Sequence, residues 1–145
     1  MAVTVTQVID DVVAKLQGVQ SLNPDAIFYV YTDKEFLDKI DHYQYPMVGV
    51  WYEGMFQSPN DKSSFSMSAD LIVNIFVVGA PSEFSTIVED KNSITQVLDD
   101  IRTSIKLSKS PTGHNWKFLS EAPYPIDADN NFVYIQRWQT PIILV

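Results

Sequence analysis

Apolar residues recur at helical spacing near the start of the chain, where Val5, Val8, Ile9, Val12, Val13 and Leu16 fall on one stripe. The pattern predicts a helix over Thr6–Gln17, with Thr4 or Thr6 capping its start, Gly18 at its C′ position and Asp10 and Asp11 on the opposite, wet face. Ala26–Thr32 is aromatic and β-branched and predicts a strand. Asp33–Ile40 predicts a short helix with Phe36, Leu37 and Ile40 turned inward, and Tyr45–Tyr52 a second strand with Pro46 at its entrance. Ala69–Gly79 carries the clearest strand pattern. Leu71, Val73, Ile75 and Val77 alternate with Ile72, Phe76 and Val78, so both faces are apolar apart from Asp70 and Asn74, and both need a cover.

One cover is the helix predicted next, from Phe84 to Leu107, whose stripe is Ile87, Ile94, Val97, Leu98, Ile101 and Ile105. Pro81 and Ser82 mark its start, and Lys106 and Lys109 suit the negative end of its dipole. Trp116–Glu121 and Phe132–Val145 read as strands, separated by an Asx-rich turn at Asp127–Asn131. Pro141 has no amide to donate, which predicts an edge or a bulge there. The apolar run Ile142–Val145 predicts a docked C-terminus. The order α-β-(α)-β-β-α-β-β predicts an α+β fold: a mixed, mostly antiparallel sheet with an N-terminal helix and a long helix packed on it, in one domain over residues 1–145.

Between the second and third strands, Glu53–Ser68 breaks the alternation with glycine, proline, asparagine and serine. It nevertheless carries Met55, Phe56, Phe65 and Met67, apolar groups that a purely solvated loop does not need. Two readings stand. The apolar groups fold back onto the core or extend the strands into a long hairpin, or the loop touches a partner. On the second reading Met55, Phe56 and Phe65 are the contact residues.

Composition narrows the chemistry. With 46% hydrophobic and 19% charged residues the chain belongs among globular rather than disordered sequences. It has no cysteine, which excludes disulfides, thiolate metal sites and a cysteine nucleophile. The net charge of −8, with no basic cluster beyond Lys106–Lys109, argues against direct binding to a nucleic-acid backbone. No apolar run reaches the roughly 18 residues of a membrane span, and the first residues lack the basic and apolar regions of a signal peptide. The expectation is a protein that acts in the compartment where it is made.

The candidate sites are weak. Asp127-x-Asp129-x-Asn131 matches the first ligands of a calcium loop, but Phe132 stands where glycine is needed and Trp138 where glutamate is needed. A hairpin turn explains it better. His42 and His114 lie in separate segments with no helical partner histidine. Asp10/Asp11 and Asp99/Asp100 are adjacent helix positions pointing about 100° apart, so neither pair converges on one ligand. No phosphate-binding glycine loop or nucleophile elbow is present. The residues therefore predict no catalytic group, no metal and no cofactor. What remains is a set of aromatic residues, among them Tyr29, Tyr31, Trp51, Tyr52, Trp116, Tyr134 and Trp138. On strands these alternate faces, so some pair across the sheet and some are left for contacts.

The order of these segments resembles a family. The N-terminal amphipathic helix and early strand are followed by Tyr45-Pro46-Met47-Val48-Gly49-Val50, a long loop into Asp70-Leu71-Ile72-Val73-Asn74-Ile75, a long helix rich in Ile, Leu and Asp, and a late hairpin through Arg137-Trp138-Gln139-Thr140-Pro141-Ile142. This is similar to the tail terminator (tail completion) proteins of long-tailed bacteriophages and their neck relatives. The resemblance implies a structural virion protein, not an enzyme, assembled in the host cytoplasm and located in the tail or neck. It implies a homo-oligomeric ring, a hexamer, that caps the tail tube, ends its polymerisation and meets the head–tail connector protein. DNA would pass through the ring without being bound specifically, which an acidic lumen favours. Two other readings compete: a small-molecule-binding α+β domain with an aromatic-lined pocket, and an enzyme with a dispersed site using His42 or His114 with a carboxylate.

Overall fold

The computed structural model describes residues 3–32, 34–36, 46–57, 67–79, 94–124 and 132–144. Helix α1 spans Val5–Gln17. Thr4 starts it with a capping box, its Oγ1 accepting from the Gln7 amide at 3.2 Å while Gln7 Oε1 accepts from the Thr4 amide at 2.9 Å. Val8, Ile9, Val12, Val13 and Leu16 are buried as the spacing predicts, and Val5 is half-buried. Burial of such side chains contributes roughly 1.5–3 kcal/mol each. The other end differs from expectation. Gly18 has φ −86°, not the left-handed conformation, because its amide bonds Lys15 O and the Val19 amide bonds Leu16 O, both at 3.1 Å. These tight i→i−3 bonds satisfy the last carbonyls without a special glycine.

A single 3-10 turn, Pro24–Ala26, precedes β1, Ile27–Val30. Asn23 caps that turn by accepting from the Asp25 amide at 3.0 Å, so Ala26 belongs to the turn and the strand is shorter than predicted. Residues 34–36 are helical, started by Thr32, and Phe36 is fully buried. Leu37 and Ile40 lie outside the described residues, as do Asp127–Asn131 and the first part of the long predicted helix. Its described part is helix α2, Ile94–Lys106, which buries Ile94, Val97, Leu98, Ile101 and Ile105.

Strands β2 (Met47–Gln57), β3 (Met67–Gly79), β4 (Lys117–Pro123) and β5 (Phe132–Leu144) complete a sheet in the order β1-β2-β3-β5-β4. β1 runs parallel to β2, and the other three pairings are antiparallel, so the sheet is mixed and mostly antiparallel. Glu53–Gln57 and Met67–Ser68 are therefore strand, not loop: β2 and β3 extend towards each other as a long hairpin. A bulge between Tyr52 and Gly54 is what broke the sequence alternation, since it shifts the side-chain parity.

Both faces of β3 are covered, and by different partners. Leu71, Val73, Ile75 and Val77 join α1 and α2 in the main core with Val48, Val50, Trp138 and Ile142. Phe76 and Val78 look the other way, into a second cluster with Phe36, Met47, Val30 and Val133. Phe76 anchors that cluster through ring contacts to Phe36 (5.3 Å), Trp51 (5.8 Å) and Tyr124 (5.2 Å).

Candidate functional site

The sheet changes width along its length. β1 accompanies β2 only as far as Trp51, whereas β2 continues to Gln57. β4 accompanies β5 only as far as Gln139, whereas β5 continues to Leu144. At this distal end the described residues form three strands, with the β1 side of Tyr52–Gln57 and the β4 side of Thr140–Leu144 carrying no strand. Pro141 falls on the second of these margins. The Tyr124 amide donates to Val133 O at 2.8 Å, so odd-numbered residues of β5 turn their backbone groups towards the β4 side. The missing amide of Pro141 thus points out of the sheet, and the ladder to β3 loses nothing. The predicted edge is local, because β5 as a whole lies inside the sheet.

Of the predicted contact residues, Met55 and Phe56 lie on this distal part, but they do not converge. Met55 and Phe56 are successive strand positions on opposite faces. Met55, paired with Leu71, packs against the main core. Phe56, paired with Asp70, is 52% exposed on the face away from the helices. Phe65 lies outside the described residues. The sequence reading missed Ile143, which is 56% exposed on the same face as Phe56 and on the opposite margin.

Polar groups on that face are organised behind the apolar margins. Arg137 donates to the Glu53 carboxylate from Nε at 3.0 Å and from Nη2 at 2.7 Å, and Asn74 Nδ2 donates to Glu53 Oε1 at 3.0 Å. The guanidinium holds the Glu53 carboxyl below its usual range against the opposing effect of burial, and Arg137 is raised in return. On the helix face, buried Gln136 donates to Leu98 O at 3.1 Å and Glu121 Oε1 at 2.8 Å, and accepts from Trp138 Nε1 at 3.1 Å. Arg102 bridges Asp99 and Glu121 beside it.

A cavity of about 400 Å³ opens between the first two turns of α1, the end of β1 and the middle of β2. Val5, Ile9, Val50, Tyr29, Tyr31 and Tyr52 supply most of its lining, with Asp10 at its rim. Tyr29 donates its hydroxyl to Asp10 Oδ1, a bond that together with burial pushes the phenol pKa up to about 12.

The other predicted chemistry stays dispersed. His114 is exposed in the turn before β4, and His42 lies outside the described residues. The adjacent aspartates diverge as expected, and each takes its own partner: Asp10 with Tyr29, Asp11 with Lys15 at 2.7 Å, Asp99 with Arg102, and Asp100 with Ser21 Oγ at 2.7 Å. Among the described residues no group of three His, Asp or Glu is placed to hold a metal ion, and no helix is long and apolar enough to cross a membrane.

The class defined by these features is an α+β domain with a mixed five-stranded sheet and α1 and α2 packed on one face. Comparison with known proteins adds no narrower assignment: no protein-family model matches the chain, and no curated protein matches it in sequence.

Proposed function

We propose that the chain is a structural assembly protein that closes head-to-tail into a ring, in the manner of a phage tail terminator that caps the tail tube and meets the head–tail connector. The observation that supports this reading is a pair of different margins at one end of one sheet that carry no strand among the described residues. β2 and β5 are both antiparallel to β3, so they run parallel to each other. Rotation about an axis along the strands preserves strand direction, and it brings the β5 margin of one copy beside the β2 margin of the next as a parallel pair. A contact between two different patches is heterologous, and closes into a ring when the rotation divides a full turn. A parallel neighbour at Ile142 needs the Pro141 carbonyl and the Ile143 amide, and it does not need the amide that proline lacks. Phe56 and Ile143, exposed on opposite margins of the same face, become neighbours in that arrangement and cover each other.

Light scattering over a concentration series tests the reading with two variants, Phe56→Lys and Ile143→Lys, because a charge on an edge opposes strand addition. The wild type is expected to reach a closed oligomeric mass, and each variant alone to stay monomeric. Mixed one to one, the variants retain one intact margin each and should give a dimer and nothing larger. A wild type that stays monomeric throughout the series overturns the ring. The cavity beside α1 favours a second reading, a ligand-binding domain, because it has the size and largely apolar lining of a small-molecule site. Calorimetric titration with small aromatic amphiphiles tests that reading, and it fails if none binds.

A further inference from the structure

The cavity at the N-terminal half of α1 has a chemical bias that its size alone does not convey. Val5, Ile9 and Val50 give it an apolar floor, and the rings of Tyr29, Tyr31 and Tyr52 rise around it on the helix side of the sheet. Tyr29 and Tyr31 are 42% and 81% exposed, so their rings are accessible to a bound group. Among the described residues one charged side chain lines the cavity, and it is the carboxylate of Asp10. The nearest helix cation, Lys15, is turned to Asp11 and to the Lys109 carbonyl at 2.9 Å. Tyr29 fixes Asp10 by its hydroxyl on Oδ1, and Oδ2 has no hydrogen-bond partner among the described residues. Electron-rich ring faces and a held carboxylate both attract positive charge, and an apolar floor takes a hydrocarbon stem.

We propose that this cavity binds a monocation carried on an apolar stem, a quaternary or alkyl ammonium or a guanidinium, with the stem on Ile9 and Val50 and the charge between Tyr29, Tyr31 and Asp10. The proposal rests on the ligand-binding reading and names the ligand class for it. It is independent of ring closure. The chain's net charge of −8 favours arrival of such a ligand over that of an anion.

Titration calorimetry and amide chemical-shift mapping on the intact chain test it with four probes: benzyltrimethylammonium, benzyl alcohol, benzoate and the capped tripeptide Val-Arg-Val. The cation is expected to bind about tenfold more tightly than benzyl alcohol, with shifts at Val5, Ile9, Val50 and Trp51, and benzoate not to bind. Asp10→Asn keeps an acceptor for Tyr29 and removes the charge, so it should weaken the cation about tenfold and leave benzyl alcohol unchanged. Tighter binding of the tripeptide than of the free ammonium assigns the site to an arginine of a partner protein, and the reverse order assigns it to a small molecule. If benzyl alcohol binds as well as the cation, or if Asp10→Asn changes nothing, the charge preference is overturned while a ligand cavity survives. If no probe binds, both fall.

Discussion

Glu53 occupies the bulge of β2, where an extra residue would otherwise leave a polar side chain half-buried on a sheet face. Arg137 and Asn74 resolve that by bonding the carboxylate from two strands, which is why its protonation is disfavoured. A carboxyl lowered from its ordinary 4.5 contributes stability that is complete above that value and is lost as pH falls through the folded value. Glu53→Gln should therefore cost about 1–2 kcal/mol at pH 7 in urea unfolding, and its difference from the wild type should shrink below about pH 4.5. A pH-independent difference would show that the charge has no part in it. Two glycines in the same strand are needed for different reasons. A Cβ on Gly49 would stand 2.9 Å from the fully buried Phe36 ring, whereas Gly54 has φ +145° with nothing within 4 Å. Gly49→Ala should cost about 1–3 kcal/mol and be partly rescued by Phe36→Leu, while Gly54→Ala should be destabilising with no rescue from any neighbour. Equal response of both alanines to the Phe36 change would refute the distinction.

At the scale of elements, helix α2 is fixed to the sheet by more than its apolar stripe. Gln136 reaches the Leu98 carbonyl from β5, takes Glu121 of β4 with its second hydrogen, and accepts from Trp138. Gln136→Leu removes a hydrogen bond from the buried Leu98 carbonyl and Trp138 indole, while half-buried Glu121 keeps Arg102, and should cost about 2–3 kcal/mol in thermal or urea unfolding, more than a surface glutamine change. A loss under half a kcal/mol would place those groups in contact with solvent. None of this was legible from the chain, because Gln136 reads as a polar interruption and its partners lie 15 and 38 residues away. What was legible followed from period: the stripe of α1 and the two apolar faces of β3 are local patterns that the fold keeps. The distal half of β2 failed to read as strand for an equally local reason, since the bulge at Glu53 puts Tyr52 and Met55 on the same face and the alternation disappears. The cavity needs Asp10 and Tyr29 brought together across 19 positions, so no window of sequence contains it.

For the whole molecule, the central fact is a sheet that is sealed on both faces by its own chain at one end and, among the described residues, narrows to three strands at the other. The two clusters divide the work: one is built under the helices, the other around Phe76 and Phe36. β3 touches both and is flanked by β5 along Met67–Gly79 and by β2 along Ala69–Val78. The narrowing has a consequence for how the amides trade protons with water. Along Ala69–Val78 of β3 every amide faces a neighbouring strand and should exchange slowly. Along Tyr52–Gln57 only those facing β3 have a strand partner among the described residues, so nuclear magnetic resonance should find slow and fast amides in alternation there. In β5 the same rule singles out Ile143, whose amide points outward between the inward-facing amides of Ile142 and Leu144. Uniform protection along Tyr52–Gln57 would mean that something already covers the β2 margin. If copies join at these margins, the fast amides should fall silent as concentration rises while those of β3 keep their rates, so that a clock built into one strand reports the meeting of two molecules.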